Sequence, residues 1–358
     1  MNFKSKSNIA VLLVFILLLC SASAFANEEK HEEKGPFNLK EMIFSHVLDS
    51  YNWHLLSVGE KHYSIPLPII VKSPERGWFV FSSARLDHGQ TYEGFYLGKG
   101  GKYNNKVVGK NAQGVEIRPL DVSLTKNAVS ILMVSALLII LFLTMAKGYK
   151  KEPLKSRKGF VGSMEMLIMS IHDDLIKPCV GPEYKRFAPY LLTAFFFIFA
   201  NNLLGLVPFF PGGANVTGNI AVTMVLALCT FFITNVFGSK EYYKEIFWPE
   251  VPLWLKVPLP IMPFVELLGV FTKPFALMIR LFANMLAGHM IILVLVGLIF
   301  IFSSLIGPAV AGGVSVVSIL FSIFMLLIDV LVSFIQAYVF TMLSSIFIGM
   351  GRVQHHEH

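Results

Sequence analysis

The chain changes character about a third of the way along. Before that point short segments alternate between apolar and polar positions: Tyr63-Ser64-Ile65 to Val71, Trp78-Phe79-Val80-Phe81 and Thr91 to Leu97, set between Gly, Pro and Asn turns. A period of two marks half-buried strands, so residues 27–127 are expected to form a small segment in water, β-rich or partly ordered. Beyond it, apolar residues dominate five stretches: about Ala128 to Ala146, Phe187 to Phe210, Ile220 to Phe237, Phe264 to Ser304 and Gly313 to Met350. About 20 apolar residues in a helix cross the ~30 Å hydrocarbon layer, so the pattern predicts an all-α polytopic membrane protein with about five membrane helices. The last two stretches exceed what an upright span needs. Even if a fresh helix starts at Pro274 it measures about 45 Å, and the fifth about 55 Å, at ~1.5 Å per residue. Strong tilt or protrusion is expected to absorb the excess. A normal span followed by a buried re-entrant piece is the other arrangement open to them. Between the first two stretches, residues 152–186 mix Met164 to Ile171 with His172, Asp173, Asp174 and Lys177, as an amphipathic helix at the interface does. Pro211-Gly212-Gly213 ends the second stretch, and a Tyr-, Trp- and Pro-rich segment through Pro263 suits an interfacial belt.

Composition agrees with a membrane protein: 54% of the residues are hydrophobic and only 15% are charged, where soluble domains carry about a quarter. The formal charge of +7 does not indicate nucleic acid, because Lys and Arg gather at the ends of apolar stretches. After the first stretch stand Lys147, Lys150, Lys151, Lys155, Arg157 and Lys158, which mark that side as cytoplasmic and residues 27–127 as extracytoplasmic. Residues 1–26 point the same way. Lys4 and Lys6, an apolar run from Ile9 to Leu19, and Ala24-Phe25-Ala26 have the layout of a cleavable signal peptide. Lipidation at Cys20 is the competing reading, although Leu19 stands where a small residue is expected. Cys179 and Cys229 form no CxxC or Cys/His spacing, so neither a disulfide framework nor a zinc site is indicated. His46, His54, His62 and His88 lack metal-ligand spacing, and His355-His356-Glu357-His358 in the tail 351–358 has no enclosing ligands, so no metal and no cofactor is expected. Asn215-Val216-Thr217 fits a glycosylation acceptor but reads as a turn beside Pro and Gly.

Between Lys273 and Arg352 the sequence holds two formal charges, Arg280 and Asp329, with His289 as a third titratable group of comparable interest. An isolated arginine in hydrocarbon costs at least ~2.5 kcal/mol, so intramembrane charge marks an ion path more often than accident. At ~100° per residue Glu266, Lys273, Arg280, Asn284 and Ala287 share one broad face, provided Pro274 does not reset the phase. His289 lies about half a turn round and ~13 Å along the axis, and so addresses a different neighbour. Asp329, Ser333 and Gln336 fall on one stripe of the fifth stretch. Two such stripes on adjacent helices are expected to meet and line a passage; interhelical hydrogen bonding is the plainer role for Asn284, Ser333 and Gln336.

The string Arg280-Leu281-Phe282-Ala283-Asn284-Met285-Leu286-Ala287-Gly288-His289, preceded by Glu266-Leu267-Leu268 and Lys273-Pro274, closely resembles the signature of the a subunit of rotary F-type ATP synthases. Ile335-Gln336-Ala337-Tyr338-Val339-Phe340 is similar to that family's final helix. Asn202-Leu203-Leu204-Gly205-Leu206-Val207-Pro208, with Asn215-Val216-Thr217, is similar to its earlier hairpin. The likeness covers about residues 128–350, and it implies a non-catalytic stator subunit of a bacterial inner membrane with two offset half-channels beside a ring of c subunits. It further implies contact with the b subunits of the peripheral stalk, a link to the catalytic head through the stalks, and protons as the species carried, with sodium ions as the alternative. By the resemblance Arg280 faces the ring carboxylate, with Gln336 beside it and Asn284 one turn along. Glu266 and Lys273 fall near the cytoplasmic half-channel, and His289 and Asp329 at channel positions where the family often has Glu and His, so the two types stand exchanged here. The leader and the long segment 27–127 depart from a minimal member. A secondary transporter or free-standing channel gated by Arg280 is the alternative, though no internal repeat accompanies it. An intramembrane hydrolase lacks its HExxH or GxSxG string.

Overall fold

The computed structural model describes residues 49–58, 61–73, 77–98, 103, 105–110, 116–151, 158–207, 212–247, 261–305 and 308–352. The expected signal peptide, His46, the segment 248–260 and the His-rich tail lie outside these residues, as do the side chains of His54, His62 and His88.

The first third folds as short antiparallel strands. β1 (Asn52–Val58) pairs with β2 (Lys61–Pro66), with a bulge between His54 and Leu56. β3 (Pro68–Ser73) pairs on one side with β4 (Gly77–Ser82) and on the other with β8 (Leu120–Asp121). A second three-stranded sheet has β6 (Val107–Lys110) between β5 (Phe95–Leu97) and β7 (Glu116–Ile117). Alternation along β3 and β4 sends Ile69, Val71 and Phe81 inward to pack with Leu86, Phe95 and Val107, while Trp78 and Val80 face out. Both ends of this region are tied to the first helix, α1 (Lys126–Lys151). Asp49 accepts a hydrogen bond from the Asn127 N–H at its first turn, and the Lys126 N–H donates to the Ser50 carbonyl.

The remainder is helical. α2 (Phe160–Met169) passes through a π-helical stretch, Ser170–Ile176, into the single turn α3 (Lys177–Val180), and α4 (Tyr184–Gly205), α5 (Ile220–Val236), α6 (Lys240–Phe247), α7 (Ile261–Leu305) and α8 (Pro308–Met350) follow. The segments Lys126–Lys150, Tyr184–Gly205, Phe264–Ile299 and Gly312–Met350 are long and apolar enough to cross a membrane, and α5 is apolar over 17 residues. The architecture is that of an all-α polytopic membrane protein. α7 runs unbroken through Pro274 for 45 residues and α8 for 43, about 65 Å each at ~1.5 Å per residue.

α8 packs against both α7 and α4, and α5 against α7. Leu191, Phe195 and Ile198 of α4 meet Leu277 and Leu281 of α7 and Ala337, Phe340 and Ile348 of α8 in one core. The buried stripe of α8 is small and hydroxylated, with Ser333, Ala337, Thr341, Ser344 and Ser345 fully enclosed. Ser333, Thr341 and Ser345 each return their hydroxyl proton to the carbonyl four residues back, at 2.7–2.9 Å. A helix surface that satisfies its own polar groups in this way can be approached closely in an apolar medium.

Candidate functional site

α7 turns Val270, Leu277, Leu281 and Met285 into the core, and this choice of face decides where Arg280 points. Arg280 and Asn284 lie to one side of the buried arc and are exposed, together with Ala276, Ala283 and Ala287. No hydrogen bond or ion pair holds the guanidinium among the described residues. The stripe on α8 behaves in the opposite way, because Asp329, Ser333 and Gln336 are all buried, at 8%, 0% and 8% exposure. The two stripes therefore do not line a common passage along their length. The physical reason is packing: Leu277 and Leu281 claim the contact with α4 and α8, and the small residues of α8 are spent on helix contact. The face expected for Glu266, Lys273 and Arg280 also divides. Lys273 is half-buried, with Nζ 5.7 Å from the centre of the Phe347 ring on α8.

His289 and Asp329 are brought together near the end of the bundle that carries the β region. The imidazole spans two carbonyl oxygens, Met285 O at 3.0 Å from Nδ1 and Gly205 O at 3.2 Å from Nε2. Carbonyl oxygens only accept, so both contacts are hydrogen bonds only when the ring carries two N–H groups, and a neutral ring surrenders one. The acidic group that faces it from α8 is Asp329. Its carboxyl lies against Gly288, where a Cβ would stand 2.8 Å from Oδ1, and its Oδ2 has no partner among the described residues. Buried amides stand at the end of α4, a turn before Gly205, and in the turn that follows the helix. Asn202 at the end of α4 accepts a 2.5 Å hydrogen bond from Thr217, and Asn215 caps the Gly218 N–H, so the Asn215-Val216-Thr217 sequence is a turn. Asn201 Oδ1, Asn202 Nδ2 and Asn215 Nδ2 are unpaired among the described residues. Enclosed amides in that condition are where ordered water is held.

A second polar group lies at the opposite end of the bundle. A small, partly open cleft is bounded by Lys273, Thr230, Thr234, Asn235 and Tyr242, with Pro274 at its side. Burial, aided by the charges of Tyr243 and Glu266, holds the Tyr242 phenol above its ordinary range, so it remains a neutral donor at cellular pH. Thr230 links three helices: its hydroxyl lies 2.8 Å from the Tyr190 hydroxyl of α4 and 3.2 Å from the Ser344 hydroxyl of α8. Arg280 stands between the two polar groups, about 13 Å along α7 from His289 and about 10 Å from Lys273.

Sequence pattern alone does not single out Gly288, Thr230, Thr234 or Tyr242. Glycine and threonine are common in membrane helices, and these gain meaning only through the residues that face them.

A family model described as "ATP synthase A chain" matches residues 129–349, and a "Domain of unknown function (DUF8433)" matches residues 42–126. A protein of Chlorobium phaeobacteroides named ATP synthase subunit a is 45% identical over 245 residues, covering 66% of this chain and 67% of the relative. One of Myxococcus xanthus with the same name is 44% identical over 257 residues, covering 70% and 80%. A third, from Chloroherpeton thalassium, is 41% identical over 251 residues, covering 68% and 71%. With the Arg280 string on an open helix face and the match running through nearly all the membrane helices, the chain belongs to the family of a subunits of the F-type ATP synthase membrane sector.

Proposed function

We propose that this subunit offers two offset half-channels to a rotating c ring and that Arg280 is the gate between them. One observation carries the reading: the Arg280 guanidinium, without a partner among the described residues, sits on an open strip of small residues midway between two polar clusters. An arginine facing hydrocarbon costs at least ~2.5 kcal/mol, and a strip of alanines lets another helix come close. A rotor helix bearing a carboxylate meets both conditions. Such a carboxylate travels through lipid only when neutral, and beside a fixed guanidinium its anion is stabilised and its proton released. The same cation repels a proton attempting the direct route in a low-dielectric gap. A proton entering by His289 and Asp329 therefore rides the ring before leaving by the cleft at Lys273, with Glu266 within electrostatic reach of its Tyr242. Gln336 and Ser333 hold α8 beside that path, and Asn284 gives the open face a second polar group. Each crossing releases about 2.3 kcal/mol per ~100 mV, which offset entry and exit turn into rotation.

In this reading the β region is extracytoplasmic, the basic cluster from Lys147 to Lys158 and the C-terminus are cytoplasmic, and residues 1–26 are removed as a signal peptide. The membrane domain is 128–350, residing in a bacterial inner membrane, and α7 and α8 lie steeply tilted because about 65 Å of helix exceeds a ~30 Å layer. The b subunits of the peripheral stalk hold it still against the catalytic head, and the carried species is the proton. Arg280→Ala is expected to leave the complex assembled, with ring and head subunits retained, while proton-driven ATP synthesis falls to background in a sealed vesicle assay. Normal coupling in that variant overturns the gate.

A further inference from the structure

The β region meets the turn beside the His289 cluster through Trp53, with Ile65 of β2 packed against the same apolar cluster. Trp53 in β1 is 2% exposed and packs on Ala214 and Val216, in the turn between α4 and α5. Its indole N–H donates to the Gly212 carbonyl oxygen at 3.1 Å, joining positions 159 residues apart. Gly212 has no room for a side chain, since a Cβ there would stand 2.4 Å from Val207 O and 2.6 Å from Leu204 O, so the turn lies tight against the end of α4. Two residues on, Ala214 O lies 3.2 Å from where a Gly205 Cβ would be, and the Gly205 carbonyl faces His289 Nε2. A continuous path of contacts runs from Trp53 through Gly212, Ala214 and Gly205 to His289.

We propose that the β region is a cap on the outer proton path: Trp53 clamps the 212–219 turn onto α4 and so sets where the Gly205 carbonyl meets His289. This rests on reading His289 and Asp329 as the outer acid/imidazole pair. The turn needs such a clamp because Gly212, Gly213 and Gly218 give it little stiffness of its own. An indole supplies both large apolar area and a directed N–H. Trp53 does not touch the imidazole, so it is a positioning residue. Among the described residues the titratable group facing His289 from its neighbours is Asp329 on α8; the end of α4 and the turn present neutral amides and hydroxyls, and Arg280 lies about half a turn round α7. Displacing the Gly205 carbonyl therefore alters the hydrogen bonding of His289 without altering the charge around it.

The test uses the whole synthase in its native membrane. Trp53→Phe keeps the aromatic packing and deletes the N–H. It is expected to assemble in normal amount while proton-driven synthesis falls about fivefold, as for a lost buried hydrogen bond, and the dependence of the rate on outer pH shifts. Trp78→Phe, on the exposed side of β4, is expected to change neither. An unchanged rate and pH profile in Trp53→Phe overturns the proposal, as does an equal effect from Trp78→Phe. If Trp53→Phe does not assemble, amide exchange of the unaltered protein in mild denaturant decides: Val216, Gly218 and Asn219 should lose protection together with β1, and independent loss overturns the clamp. Arg280→Ala in the same membranes separates the two ideas. If it stays coupled the gate reading fails, whereas a blocked Arg280→Ala beside an unaltered Trp53→Phe removes the cap alone.

Discussion

A methyl group at position 288 would stand 2.8 Å from Asp329 Oδ1, and the carboxyl is the part able to move. Gly288→Ala should therefore fold and assemble but swing Asp329 away from His289, lowering proton-driven synthesis about tenfold, the scale expected for a misplaced reacting group. Vesicles of this variant synthesising at the normal rate would mean that the position of the carboxyl is immaterial. The pair itself has a sharper test. His289→Asp combined with Asp329→His should restore more activity than either single change, and a double variant no better than the worse single one counts against proton exchange between them. Arg280 and Asp329 are conspicuous in the sequence because charge in an apolar run is costly. Gly288 is not, since nothing about a glycine announces that a carboxyl from the next helix will rest on it.

At the scale of elements, α8 is docked at its C-terminal end by a close backbone contact. A Cβ at Gly349 would fall 2.0 Å from the carbonyl oxygen of Cys179, the Ser239 N–H donates to Gly351 O, and Arg352 binds both Glu183 and the Phe237 carbonyl. Gly349→Ala cannot be absorbed by a rotating side chain. It is expected to cost about 1–3 kcal/mol of packing, read as a lower thermal midpoint of the detergent-solubilised complex; an unmoved midpoint would show that this end is loosely held. The apolar runs revealed α7 and α8 as helices, whereas which face each buries came from their mutual packing. Pro274 illustrates the limit. Proline removes a backbone donor and often ends a helix, yet α7 continues through it, because packing holds it on both sides: Val270 before it against Phe231, Tyr242 and Ile246, and Leu277 and Leu281 after it in the core with α4 and α8.

Over the whole molecule, a β region suited to water is sewn at both ends to a bundle suited to lipid. Tyr51 donates to Asp121, bringing the start of the β region to its end at the foot of α1. Burial first, and the Asp121 contact second, push the Tyr51 phenol well above its ordinary range. The protonated phenol is thus favoured in the folded state. Its contribution is fully present below the unfolded value of ~10 and is lost as pH rises from there toward the folded value. Amide protection in β3 and β8 should fall above about pH 10 before that of α4 or α8, and Tyr51→Phe should flatten this alkaline loss. Equal pH dependence in the two proteins would remove Tyr51 as its cause.

Apolar run length, the burden of charge in hydrocarbon and the Arg280 string are properties of neighbours along the chain, and they were enough to establish a polytopic helical membrane protein of the a-subunit family. Facing is a different kind of fact. The outward turn of Arg280, the inward turn of Asp329 and Gln336, and the grip of Trp53 on the turn above His289 were decided by tertiary packing. A helix in an apolar medium gains nothing from hiding one greasy face rather than another, so orientation falls to shape and hydrogen bonding between distant segments.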